Sequence, residues 1–141
     1  MTIAYATLKT EITSDPAGLG YLGKTDVQVA TLMNAVPSVN TDTFRRLKRA
    51  SIPTWEIVEA TVLTEYDALS VAEKDRYKLL TGLGTINPRG PNVQSAFLKM
   101  FGSGTTTRAN LSLLQWEAAS RAQTLFGEPV YEWDVARARA L

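Results

Sequence analysis

Apolar side chains recur three and four residues apart along this chain, and glycine, proline and hydroxyl residues cut that pattern into short pieces. The stretch 79–111 shows it most clearly. Gly82, Gly84 and the turn Asn87-Pro88-Arg89-Gly90 stop one helix, and Pro91 opens the next with its φ already set. In that next helix Val93, Ala96, Phe97, Met100 and Phe101 fall on one face, so the segment should plug a core. Gly102 and Gly104 end it. Thr105, Thr106 and Thr107 then supply hydroxyl oxygens to cap a longer helix carrying Leu111, Leu114, Ala118, Ala122 and Leu125.

The same reading covers the remainder. Residues 3–13 form a helix through Ala4, Leu8 and Ile12, stopped by Asp15-Pro16, and a glycine turn follows with Tyr21 and Leu22 tucked inward. Thr25 and Gln28 make a capping box for a second helix carrying Val29, Leu32, Met33 and Val36. A helix over 51–62, with Pro53 in its first turn, turns Trp55, Val58 and Val62 inward; Thr64-x-x-Asp67 and Ser70-x-x-Glu73 repeat the N-cap signature, so a short turn over 63–69 leads to a helix over 71–80 that buries Tyr77 and Leu80. Gly127 and Pro129 end the long helix, and the chain closes in a short extended piece with a last turn or two capped by Asp134. No segment alternates with period two. The expected fold is all-α, an irregular bundle of six or seven short helices over 1–128 with an extended C-terminal tail, 129–141.

One basic cluster, Arg45, Arg46, Lys48 and Arg49, is interleaved with Phe44 and Leu47. It reads in three ways: a recognition helix for DNA, a contact with a partner protein or phosphate backbone, or a solvated face. The linker from Val36 to Asp42 is longer than a helix-turn-helix turn of about 3–4 residues, which weighs against the first. The tail is the second candidate surface, because Tyr131, Trp133, Arg137 and Arg139 are residue types favoured at interfaces; it either folds back onto its own domain or reaches a neighbour. Trp116, off the main stripe of the long helix, is a third, whereas Trp55 fits a core face.

Composition narrows the chemistry. At 141 residues, 45% of them hydrophobic, the chain is long enough to bury a core without staples. It has no cysteine and no histidine, so disulfides, thiolate nucleophiles, the commonest general base and the commonest zinc ligands are all missing. A net charge of +1 leaves no overall field for nucleic acid or an anionic membrane. No apolar run approaches the ~18 residues needed to span a bilayer, and the first residues lack the pattern of a secretory signal.

Enzyme readings fail for want of parts. No serine carries a nucleophile-elbow or Ser-x-x-Lys motif, and the carboxylate pairs Glu56 with Glu59, Glu65 with Asp67, and Glu73 with Asp75 lie at polar helix or turn positions. Gly18, Gly20 and Gly23 spell G-x-G-x-x-G, but a helix and Pro16 precede them and no parallel-sheet pattern surrounds them, so they read as a turn. Gly102-Ser103-Gly104 with its threonines lacks the lysine of a phosphate cradle, and capping alone explains it. No enzyme activity, metal or cofactor is expected.

Taken together, LKTEITSDPAGLGYLGKTDVQVATLMN, LLTGLGTINPRG, FGSGTTT, SRAQTLFG and the closing VARARAL resemble a family of small proteins encoded among the virion genes of tailed bacteriophages. The resemblance covers nearly the whole chain in order, departing at Arg89 and in the basic 44–49 segment. It implies a virion structural subunit, in the neck as a head-to-tail connector or elsewhere in tail or head, assembled in the host cytoplasm. It implies a homo-oligomeric ring whose partners are portal, neck or tail subunits; no membrane partner is expected, and nucleic acid remains possible but is not expected to be bound specifically. The basic segment and the tail would then be the two patches that a ring contact requires. The alternative is a small nucleic-acid-binding or regulatory phage protein using Arg45, Arg46, Lys48 and Arg49.

Overall fold

The structure is a computed structural model that describes residues 3–141. Of these, 54% are helical, in nine helices rather than the expected six or seven. In chain order the elements are α1 (Tyr5–Ser14), α2 (Asp26–Asn34), β1 (Arg46–Lys48), β2 (Ile52–Pro53), α3 (Thr54–Ala60), α4 (Leu63–Asp67), α5 (Val71–Thr81), β3 (Thr85–Ile86), α6 (Pro91–Met100), α7 (Thr106–Leu114), β4 (Trp116–Ala118), α8 (Arg121–Phe126) and α9 (Glu132–Arg139). Four short strands in two two-stranded sheets make the fold mainly helical with minor sheet, which corrects the purely all-α expectation. Strands this short leave no visible alternation, so period-two reasoning had nothing to detect.

The chain divides into two compact units, Met1–Leu47 with Ala118–Leu141, and Lys48–Glu117 inserted between them in sequence. In the first unit Leu8, Tyr21, Val29, Met33, Ala122, Phe126, Val130, Val135 and Ala138 make one core. Here α9 packs on α1 and α2, and α8 packs on α2. Residues 129–141 are therefore not an extended tail. Their helix starts because Asp134 turns back on Tyr131: Tyr131 N–H donates to its carboxylate at 3.0 Å, and Tyr5 Oη donates to its other oxygen at 3.0 Å. Asn34 fixes the approach, donating to the Val130 carbonyl at 2.6 Å and accepting from Val130 N–H at 2.9 Å.

In the second unit Ile52, Ile57, Tyr77, Ile86, Met100 and Phe101 form a separate core. α3 packs on α5 and α7, and α5 packs on α6. β2 and β3 pair antiparallel with Ile52 opposite Ile86 and Pro53 opposite Thr85, and the Tyr77 ring lies 5.0 Å from Tyr66 and 6.3 Å, edge-on, from Phe101. The capping chemistry follows the sequence at three helices and departs from it at Thr64, which lies inside α4 behind Val62, an N-cap with no side-chain bond. Thr25 and Gln28 form the capping box of α2, Ser70 caps α5, and Thr105 caps α7.

The long helix over 105–125 breaks into α7, β4 and α8. Its carbonyls after Ser112 find other donors: Arg49 N–H bonds the Gln115 carbonyl at 2.9 Å and the Arg49 guanidinium reaches the Leu114 carbonyl at 3.4 Å. Ser120 then restarts helix by accepting from Gln123 N–H at 3.0 Å. Two inward assignments also change. Leu22 is 96% exposed, so of the pair in the glycine turn only Tyr21 goes inside; and α3 buries Thr54 and Ile57 while Trp55 is 66% exposed and Val58 points outward as well.

Candidate functional site

The basic segment is a strand, not a recognition helix, and most of its charge is spent locally. In the first unit the Arg45 guanidinium bonds the Asp42 carboxylate at 2.9 Å, which holds the Asp42 carboxyl below its usual range. Arg46, half-buried in β1, is already engaged. In the second unit Arg49 makes an ion pair with Glu56 at 2.8 Å, and Lys48 sits 6.0 Å from the centre of the Trp116 ring. Arg89 donates to the Lys48 carbonyl at 2.7 Å and so helps to fix that strand.

The residues 131–139 divide by role. Val135, Ala138 and Asp134 are buried, and Arg139 is tied to Asp26 at 2.5 Å and to the Lys24 carbonyl at 2.9 Å. Arg137 lies over the Tyr5 ring at 5.0 Å. Tyr131 and Trp133 face solvent at 48% and 62% exposure, stacked on one another at 4.6 Å and 14°. Their outward faces form an aromatic knob beside the exposed Glu132. Such a pair keeps apolar area in water that docking would remove.

A cleft of about 320 Å³ opens in the second unit, a feature that the sequence reading missed. It runs between α6 and α7. Val93, Phe97 and Leu98 come from one helix, Arg108, Leu111 and Ser112 from the other with Gln115 just past its end, and Ile52 and Pro88 complete the lining. Lys48 and Arg108 put two positive charges on its lining, and no carboxylate lines it. The spacing of Arg108, Leu111, Ser112 and Gln115, one face of a helix at i, i+3, i+4 and i+7, was the available signal. What spacing withholds is which neighbouring helix that face leaves uncovered.

The first unit has a hollow of about 550 Å³ lined by Lys9, Thr13, Asp15, Tyr21 and Arg139, among others. Its polar groups already have partners. Asp15, at φ 43° in the left-handed region that aspartate tolerates, accepts from the N–H groups of Leu19 and Gly20 at 2.8 Å each. Lys9 donates to the Leu141 carbonyl. Tyr21 Oη donates to Glu11 at 3.0 Å, and burial followed by the Glu11 charge pushes the phenol well above its ordinary value. Glu11 is itself 4% exposed and takes two bonds from Arg121, at 2.8 and 3.1 Å.

The N-terminus of α7 is likewise occupied from within. The Glu65 carboxylate accepts from Thr106 N–H at 2.9 Å, from Thr107 N–H at 2.7 Å and from the Thr107 hydroxyl at 2.6 Å. These bonds, the hydroxyl's first, hold its carboxyl below the usual glutamate range. An anion from outside would have to displace that side chain. Gly18, Gly20 and Gly23 all sit at positive φ between 66° and 88° in a plain turn. Among the described residues no group of acidic side chains is placed to hold a metal ion, and no helix is long and apolar enough to cross a membrane. No protein-family model, curated protein or solved structure matches this chain.

Proposed function

We propose that this protein is a virion structural subunit of a tailed bacteriophage, a neck or connector component that works by assembling with other proteins. The observation that carries the reading is the solvent-facing stack of Tyr131 on Trp133, mounted on a helix whose opposite side is locked into a core. Large aromatics are enriched at interface centres. The setting comes from the resemblance of its ordered motifs to small phage proteins, and a net charge of +1 leaves little mutual repulsion to oppose association.

The nucleic-acid alternative is left with less support. Arg45 and Arg49 face carboxylates of their own units, and phosphate binding would have to break those pairs. Quantitative mass spectrometry of purified particles tests the assembly reading. A fixed copy number is expected, small and set by ring symmetry for a neck component and far larger for a lattice; absence from particles would overturn the reading.

A further inference from the structure

We propose that copies of this chain associate head to tail, with Trp133 and Glu132 of one copy seated in the α6–α7 cleft of another. The inference rests on the assembly reading and gives it a specific contact. The two surfaces differ in kind, and each supplies what the other lacks. The cleft is apolar along Phe97, Leu98 and Leu111, carries Lys48 and Arg108, and contains no carboxylate. The knob is aromatic, is stacked on Tyr131, and has the exposed Glu132 next to it in sequence.

Burying Trp133 would remove its apolar area from water, and a guanidinium beside an indole adds a cation–π term. The carboxylate of Glu132 would meet charges that the cleft does not neutralise itself, which fixes register and speeds encounter. Ser112 and Gln115 offer oxygen acceptors at the cleft lining for the indole N–H. At about 320 Å³ the cleft is at the small end of the range for binding pockets, suited to one side chain rather than to a helix. Because knob and cleft are different patches of one chain, head-to-tail repetition of the contact closes a ring or extends a filament, whereas a reciprocal exchange of knobs makes the same contact twice in a two-fold dimer.

The experiment is sedimentation velocity on the full-length chain across concentration, with Trp133→Ser and Arg108→Glu made separately. Both positions lie outside the cores, and circular dichroism checks that each variant folds. Leu98→Glu replaces Arg108→Glu if that chain does not fold. The wild type should associate, and each variant should associate at least about tenfold more weakly. Mixing the two variants is the discriminating step: the intact knob of Arg108→Glu meets the intact cleft of Trp133→Ser, so the mixture forms heterodimers that stop there. The charge exchange Arg108→Glu with Glu132→Lys should recover part of the association. A wild type that associates undiminished by either substitution overturns this contact and leaves the assembly reading standing. A wild type that is monomeric at every concentration also overturns it, and the particle copy number then judges the assembly reading alone.

Discussion

At the scale of single residues, the most consequential side chain is one whose position in the sequence gives no hint of it. Glu11 lies among polar residues of α1, yet it is buried against Arg121 and Tyr21, partners 110 and 10 residues away. Helical spacing assigns a residue to a face; it does not reveal that a remote arginine will make an inward carboxylate tolerable. Replacing Glu11 by alanine leaves the Arg121 guanidinium and the Tyr21 hydroxyl without their acceptor, and breaking a buried pair from one side costs about 3–5 kcal/mol. Urea unfolding should show that loss, and an unchanged midpoint would mean that the pair carries no weight. Glu65 makes a second prediction, with a definite sign. Its folded carboxyl titrates below the ordinary value because the Thr107 hydroxyl and two N–H groups favour the carboxylate. Its contribution is therefore complete above the unfolded glutamate pKa of about 4.3 and is lost as pH falls through the lower folded value. Unfolding followed from pH 7 to pH 3 should lose less stability in Glu65→Gln than in wild type, although the variant starts lower.

At the scale of elements, capping was legible and tertiary competition was not. Thr25, Ser70 and Thr105 each cap the helix that their spacing announced, because an N-cap is a local bargain between a side chain and the next turn. The break after Leu114 is different. The apolar stripe continues through Ala118 and Ala122, but Arg49, far back in the chain, takes the last carbonyls of α7. Ser120 and Gln123, at capping-box spacing, were the one local sign of a restart. In α3 the inward set shifts from Trp55 and Val58 to Thr54 and Ile57, a shift of one position that turns the buried face by about 100°. The strand pairing that places Pro53 opposite Thr85 sets this angle, and no stripe within 51–62 encodes it. Residues 129–141 show the same limit. Fold-back was one of two open readings, and the Asn34 clamp on Val130 lies 96 residues away. Two variants separate core from knob here. Truncation after Glu128 removes the fully buried Val130, Val135 and Ala138 and should abolish the fold of the first unit. The pair Tyr131→Ser with Trp133→Ser should leave the far-UV circular dichroism unchanged and the unfolding free energy within about 0.5 kcal/mol of wild type. If truncation were tolerated, α9 would not be part of that core.

At the scale of the whole molecule, the sequence shows one length of alternating helices and turns, whereas the structure has two cores, one continuous in sequence and one assembled from the two ends. The difference has an energetic consequence. The inserted unit, Lys48–Glu117, has its own buried set in Ile52, Ile57, Tyr77, Ile86, Met100 and Phe101, and if it opens, the first unit is left with a long loop between fixed ends. Loop closure grows only logarithmically with length, about 0.6 kcal/mol for each doubling, so the first unit loses little by carrying an unfolded insert. The reverse is not equivalent, since the first unit cannot gather its two segments without α8 and α9 meeting α1 and α2. Ile57→Ala, which empties a fully buried site, should therefore act locally. Hydrogen exchange is expected to speed in α3, α5 and α7, by the roughly 2–5 kcal/mol of such a truncation, while amides of α1, α2 and α9 keep their protection. Equal loss in both sets would show that the two cores melt as one. Selective loss would mean that the cleft and the knob sit on parts of the chain with separate stabilities, so that damage to the cleft leaves the aromatic knob formed and able to dock.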